Sequence, residues 1–326
     1  MLLIATDEAG YGPKLGPLVI AATTWQVPDC DDDQLGGLFE PMQKPCRLGN
    51  AKVIVNDSKA VFKPKSAQNS QQSQADPLET LHATVSVANH WCGIYPTELS
   101  SWLQQIAADD FDGVKQTPWL TNIQDVAFRD DDAVDEIVNT WQHSGIKLLG
   151  SHLRIIPAQQ FNKAIANGMN KADLLSESTL SLVRQAIEKQ KDESSVKAQV
   201  FCDRHGGRRY YAGVLQHCLE DANAQVIAET KSESSYSLRG DRIDATIRFT
   251  VKGDRFAPVA LSSIYAKYVR ERMMESFNEY FANLHKGKNP LKPTAGYPTD
   301  AIRYLKDIAP IRKRERIKDT DLIRQR

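Results

Sequence analysis

Residues 1–27 read MLLIATDEAGYGPKLGPLVIAATTWQV, two apolar runs joined by a link rich in glycine and proline. Leu2 to Thr6 has the continuity of a short buried strand, and Leu18 to Val27 reads as a second, longer one. The link GYGPKLGP is a turn whose glycines relieve steric limits on the backbone. The stretch therefore predicts the first hairpin of an antiparallel sheet. Two acids, Asp7 and Glu8, stand where the first strand ends. Consecutive strand residues point to opposite faces, so these two share a site only if the strand stops there, and Gly10 and Gly12 favour that stop.

Further along, residues 29–50 carry Asp29, Asp31, Asp32 and Asp33 among prolines and glycines, which predicts a surface excursion. Ala51 to Asn56 returns to apolar spacing. The segment KPKSAQNSQQSQADP, Lys63 to Pro77, is too polar to offset the entropy of ordering it and is expected to be a mobile loop. His82 to Trp91 alternates at Val85 and Val87, as a strand would. Thr97 to Ile106 places Leu99, Trp102, Leu103 and Ile106 at helical spacing. Residues 109–135 are acidic and irregular. From His152 the pattern tightens into a strand (HLRIIP), a helix over Asp173 to Lys189, and a strand from Ala198 to Cys202 ending at Asp203. Helix at Tyr210 to Leu219, strands at Ala224 to Ala228 and Ile243 to Val251, and a long helix from about Pro258 to Leu284 follow. Strands alternating with helices after a hairpin predict an α/β chain with a mixed sheet covered by helices.

The 326 residues are 41% hydrophobic and 25% charged, the composition of an ordinary globular protein. A net charge of +0 hides an uneven distribution. From His285 to Arg326 there are 12 Lys or Arg and 5 Asp or Glu, leaving 29 against 36 elsewhere. A basic C-terminal segment can hold phosphates, and an acidic remainder has room for a metal site. The five cysteines form no CxxC pair, which fits a reducing cytoplasm. The N-terminal apolar run is too short for a signal peptide, and no stretch approaches the roughly 20 apolar residues of a membrane helix.

Four acids fall at element ends: Asp7 and Glu8 after the first strand, Asp203 after AQVFC, and Asp254 between a strand and the long helix. Carboxylates brought together repel unless they protonate or bind cations. Such a cluster reads as a divalent-metal site, and oxygen-only ligands favour Mg²⁺ or Mn²⁺ over zinc. Nuclease, phosphatase and polymerase chemistry all remain open on these grounds.

Five segments, in order, narrow the choice. TDEAGYGPKLGP resembles the DEAG-R-G-P-x-x-G-P opening of ribonuclease HII, the type 2 ribonuclease H, and NDSKAVF resembles that family's DSK segment. VFCDRHGG sits where a third acid should be. VKGDRFAPVALSSIYAKYVRERMM is similar to the family's strand–KGD–helix element with its Ala-Ser-x-x-Ala-Lys-x-x-Arg pattern. TAGYPTDAIRYL is similar to its Gly-Tyr-x-Thr segment and following helix. The resemblance implies a ribonuclease H-like mixed sheet with helices on both faces, comprising residues 1–64 and 146–284. Residues 65–145 would be an insertion, a small subdomain with Trp91, Trp102, Trp119 and Trp141, and 285–326 a helical, basic, nucleic-acid-contacting end. It implies catalytic and metal-binding roles for Asp7, Glu8, Asp203 and Asp254, with two Mg²⁺ or Mn²⁺ ions. In the two-metal scheme one ion activates water and the other stabilises the leaving 3′ oxygen, giving a 5′-phosphate and a 3′-hydroxyl. The substrate would be RNA in RNA–DNA hybrids or at RNA–DNA junctions. Backbone amides of Gly10, Tyr11 and Gly12 would approach the 2′-hydroxyl, Tyr297 would stack on the neighbouring sugar, and Ser58 and Lys59 would contact phosphates.

The sequence departs from the family at Tyr11, which stands where an arginine is expected between the two glycines. Spacing also differs, with about 50 residues between Asp7 and Asp57 and nearly 150 between Asp57 and Asp203. Two other readings stay open: the same chemistry on DNA or structured RNA, and a nucleic-acid-binding protein without catalysis. His205, two residues past Asp203, is either a proton carrier or a packed loop residue.

Overall fold

In a computed structural model, which describes residues 1–57, 61–62, 76, 78–124, 126–142, 144–190 and 196–325, the hairpin forms as expected. Strand β1 is Leu2–Ala9 and β2 is Leu18–Gln26, paired antiparallel with Thr6 opposite Ala22. β1 thus continues through Asp7 and Glu8 and does not stop before them, a correction to the sequence reading. Both faces of β1 are buried: Leu3 and Ala5 join one core cluster, Leu2 and Ile4 another. A continuous apolar run is what a central strand requires.

β3 (Cys46–Leu48) and β4 (Ala51–Val53) pair separately as a small ribbon. The main sheet adds β5 (Lys147–Ile156), β6 (Val196–Asp203), β7 (Ala222–Glu229), β8 (Glu233–Gly240) and β9 (Ile243–Thr250). Its seven strands run in the order β5-β2-β1-β6-β9-β8-β7. Pairings β1–β6 and β6–β9 are parallel and the rest antiparallel. The mixed sheet, covered by helices on both faces, is the architecture the resemblance implies. β8 was not expected. Its sequence ESSYSLRG offers only Tyr236 and Leu238 to one face, and both are fully buried.

The helices are α1 (Asp32–Leu38), α2 (Glu40–Gln43), α3 (Glu79–Trp91), α4 (Leu99–Ile106), α5 (Ala108–Lys115), α6 (Asp132–Gln142), α7 (Ala158–Ala166), α8 (Lys171–Glu188), α9 (Ala212–Cys218), α10 (Ala257–Leu284), α11 (Pro298–Asp307), α12 (Ala309–Arg314) and α13 (Asp319–Leu322). On one face α10 crosses β1 and β2. The Ser262 hydroxyl donates to the Ala5 carbonyl at 2.9 Å and lies 3.0 Å from the Thr23 hydroxyl. Helices α8 and α9 cover the other face.

Residues 82–91, expected as a strand, belong to helix α3. The alternation misleads because this helix is buried nearly all round, so Val85 and Val87 are both inside on different sides. A helix apolar on every face loses its 3.6-residue signature. Polar side chains fix it in place: His82 meets the Tyr268 hydroxyl at 2.6 Å, and Tyr265 donates to Asn89 at 2.9 Å. Segments 29–50 and 109–135, expected as surface and irregular chain, contain α1, α2, α5 and the start of α6, and they bury Leu35, Phe39, Met42, Val114 and Val134. Trp91 packs on Trp25 (5.4 Å between centroids) and Trp141 (5.8 Å), Trp102 on Tyr265 (6.0 Å) and Trp119 on Phe281 (6.1 Å). These four tryptophans share one core with β1 and α10.

The C-terminal end is helical, as expected, and returns to the hairpin. Ile311 and Leu322 are buried, the Arg324 N–H donates to the Lys14 carbonyl at 2.9 Å, and Asn162 donates to the carbonyls of Thr320 and Ile323 at 2.7 Å each. Of the segment 63–77 expected to be a mobile loop, all but Asp76 lies outside the described residues. No helix among the described residues is long and apolar enough to cross a membrane.

Candidate active site

Parallel pairing of β1, β6 and β9 points the C-terminal ends of three strands at one edge of the sheet, where ligands of such sheets gather. The β1–β6 ladder ends at Thr6 opposite Cys202. One step further, Asp7 comes beside Asp203. Glu8 lies on the same stretch, one methylene longer than an aspartate, and reaches the same place. Single carboxylate oxygens of Asp7, Glu8 and Asp203 all lie within 4.8 Å of one another. The strand need not stop for the two neighbours to share a site; it needs only to outrun its parallel partner.

Asp254 sits in a short turn, Gly253–Arg255, that follows β9. It lines the same cavity of about 220 Å³ as the other three acids. The turn also positions Asp203, whose carboxylate accepts the Gly253 N–H at 2.7 Å. A side chain at Gly253 would crowd the Asp203 backbone at 3.2 Å. Asp7 accepts the Glu8 N–H at 2.7 Å and a hydrogen bond from Ser263.

Burial, then the charge of Asp203 and more weakly that of Asp254, push the Asp7 carboxyl up to about 8, against the opposing pull of Ser263 and the Glu8 amide. Glu8 is raised well above the ordinary carboxylate range by burial and by Asp7 and Asp203. The cluster thus resists ionising together unless a cation is present. Half-buried, all-oxygen and dense in negative charge, the donor set fits a hard divalent ion such as Mg²⁺ or Mn²⁺.

The far wall of the cavity comes from α10, through Ser263, Lys267, Arg270 and Glu271. None of these was singled out from sequence as a site residue, although Ser263, Lys267 and Arg270 recur at the i, i+4, i+7 spacing of one helix face. Gly10 has φ +88°, and a Cβ there would come within 2.6 Å of both Arg270 Nε and the Pro17 carbonyl. Only glycine permits that approach. Gly12 faces Tyr297, whose ring a Cβ would meet at 3.8 Å. Tyr297 is 55% exposed at the cavity mouth.

Tyr11 is placed differently. It lies half-buried against Gly206, with the Lys171 ammonium 4.0 Å from its ring centre, and it does not line the cavity. Ser58 and Lys59 fall outside the described residues. His205 is buried, 3.0 Å from the Ser176 hydroxyl and edge-on to Tyr211 and Phe249. Burial and the nearby Arg208 push its pKa down to about 3, so it is a neutral packing residue rather than a proton carrier.

No family model matches the sequence, and no curated protein matches it. Solved structures do. The ribonuclease H2 of Pyrococcus horikoshii is 13% identical, with 99% of this chain and 92% of that one covered and a TM-score of 0.43. A ribonuclease HII of Archaeoglobus fulgidus, solved in complex with PCNA, is 16% identical over 100% and 95% of the two chains, with a TM-score of 0.41. A ribonuclease HIII in complex with Mn²⁺ is 14% identical over 99% and 66%, with a TM-score of 0.42. Likeness at this level says nothing about individual side chains, whose chemistry follows from their own positions.

Proposed function

We propose that this chain is a divalent-metal-dependent endonuclease that hydrolyses the RNA strand of RNA–DNA hybrids, or RNA at RNA–DNA junctions, leaving a 5′-phosphate and a 3′-hydroxyl. The observation that carries the reading is the convergence of Asp7, Glu8 and Asp203 within 4.8 Å, in one cavity with Asp254. These four would hold two Mg²⁺ or Mn²⁺ ions. Such ions, when bound, supply an activated water and charge stabilisation at the leaving oxygen.

The protein's own groups do the positioning. The Gly253 amide orients Asp203, and Ser263 with the Glu8 amide orients Asp7. Lys267 and Arg270, on the cavity wall, offset the charge of a phosphate brought against carboxylates. The Gly10–Gly12 turn lets a sugar approach the backbone, and the exposed face of Tyr297 beside Gly12 offers it a stacking surface. By the resemblance, these read the 2′-hydroxyl, with Ser58 and Lys59 on phosphates. Five free cysteines are compatible with a reducing cytoplasm.

A second reading keeps the chemistry and changes the substrate to DNA or structured RNA. Tyr11 favours it, because no cation stands between the two glycines: the ring packs on Gly206 under the Lys171 ammonium and feels the charge of Glu8. One panel decides: RNA–DNA hybrid, duplex DNA with one ribonucleotide, single-stranded RNA and duplex DNA, each with Mg²⁺ and with Mn²⁺. Cleavage confined to the first two supports the proposal, and cleavage of duplex DNA overturns it. Absence of any cleavage, with no heat of Mg²⁺ binding by calorimetry, would leave a nucleic-acid binder without chemistry.

A further inference from the structure

Beside the acidic cavity, Asp203 leads into the loop Arg204-His205-Gly206-Gly207-Arg208-Arg209-Tyr210-Tyr211. This loop is seated on the turn between β7 and β8. Arg204 donates to the carbonyls of Lys231 (2.6 Å) and Thr230 (3.3 Å) and to the Ser234 hydroxyl (3.3 Å). Arg209 donates to the Glu229 carbonyl at 2.7 Å, and its own carbonyl accepts from Ser234 at 2.6 Å. Every one of these partners is neutral. Among the described residues neither guanidinium pairs with a carboxylate, so both keep their full charge, whereas Arg208 is paired with Asp173. Lys231 and Lys252 are exposed on the same side, where the Val251 amide bonds the Ser232 carbonyl at 2.8 Å.

Tyr210 stands on this basic ledge 63% exposed, with the Arg209 guanidinium 5.5 Å from its ring centre. The loop beneath is firmly built. Tyr211 is fully buried, stacks on Phe249 at 3.6 Å and accepts the His205 amide at 3.0 Å. A single exposed ring is unremarkable by itself. Glu229 and Glu233 of the same turn are engaged by the Tyr236 and Thr250 hydroxyls and, among the described residues, make no ion pair with Arg204 or Arg209. A ring on a fixed loop, beside such cations and one residue-run away from a carboxylate cavity, matches the chemistry of a nucleotide strand.

We propose that this ledge holds unpaired nucleotides of the substrate next to the cleavage cavity, a base stacking on Tyr210 and phosphates lying on Arg209 and Lys231. The strand must be unpaired because a tyrosine stacks only on a base whose face is open, which a duplex interior does not offer. The assignment rests on the nucleic-acid reading above and adds to it a surface outside the cavity.

The test is binding by the full chain, measured by fluorescence anisotropy with Ca²⁺ in place of Mg²⁺. The probes are a blunt DNA duplex and the same duplex with a ten-nucleotide single-stranded extension. Wild type should prefer the extended probe, and Tyr210→Ala should remove that preference, about 5-fold or more, while Tyr210→Phe retains it. Lys231→Ala should lower the slope of log affinity against log salt by roughly 0.7 on the extended probe only. Equal affinity of wild type for both probes overturns the proposal, as does a preference that survives in a folded Tyr210→Ala. Equal weakening on both probes would mean a duplex contact and also overturns it. Binding is read without cleavage, so a chain that cuts no substrate yet shows Tyr210-dependent preference would sink the nuclease reading and leave the ledge standing.

Discussion

The acidic cavity and the basic C-terminal end are both concentrations of charge, and the fold treats them in opposite ways. The acids are scattered from position 7 to position 254, yet strand order and register bring them to one largely buried cavity. The cations of IRKRERIK are adjacent in sequence, and the structure disperses them. Arg312 pairs with Asp319, Arg314 binds Glu315 and the Leu284 carbonyl, and Lys313, Arg316 and Lys318 face solvent. Like charges held together where solvent access is restricted create a demand for a ligand. Those spread into water, where screening is strong, create little. Local charge density along a chain is therefore a poor guide to where binding energy is concentrated.

The widest test of this contrast neutralises one member of each group. Asp7→Asn or Asp254→Asn should reduce cleavage of the preferred substrate to background, with affinity unchanged or raised because repulsion of the phosphate falls. Single-turnover rates and binding isotherms check this, and near-wild-type cleavage by either variant would refute the site. Neutralising Lys313 should leave the cleavage rate at saturating substrate unaltered.

A second test uses pH. In the metal-free folded chain Asp7 holds its proton up to about 8, against an ordinary value of 3.8. Folding therefore takes up a proton between those values, and this contribution to stability is lost as pH rises through them. In EDTA, Asp7→Asn should melt above wild type at about pH 8, by about 3 °C or more, with the gap closing towards pH 5. Added Mg²⁺ should raise the wild-type melting temperature more at the higher pH, where the carboxylates ionise to receive it. An equal Mg²⁺ shift at both pH values would show that these acids do not act as one ligand set.

The basic end predicts two smaller and separable effects. Truncation after Pro310 removes buried Ile311 and Leu322, and with them Arg324, whose N–H bonds the Lys14 carbonyl in the glycine turn. It should lower the melting temperature by several degrees, at about 2–4 °C per kcal/mol for a chain of this size. Lys313→Gln with Lys318→Gln should leave melting unchanged. If these side chains meet phosphates, the salt slope of binding should fall by roughly 0.7–0.9 for each. An unchanged slope would mark them as solvated surface charges.

The hairpin, the β6 and β9 strands and helices α8 and α10 were legible in sequence because each carries its own periodicity or apolar continuity. Strand β8 was not, since ESSYSLRG offers two apolar residues. Helix α3 read as a strand because burial on every side erased its helical period. At the site, the four acids could be picked out by their places at element ends. Ser263, Lys267 and Arg270 stood in the quoted helix pattern at the spacing of one face, but only the fold shows that this face, with Glu271, meets the cavity.

By itself, then, the sequence determined which residue types could do metal chemistry and which segments could be strands or helices, since both are properties of short stretches of chain. Tertiary structure alone decided that Asp7 and Glu8 share a site while still in a strand, because that depends on where the β6 ladder ends beside them. It decided as well that Tyr11 faces Gly206 and Lys171, that His205 is a neutral packing residue, and that the C-terminal cations are split between ion pairs and solvent. Each of these is set by neighbours distant in sequence. A side chain's protonation and direction follow from what surrounds it, and that environment exists only once the chain has folded.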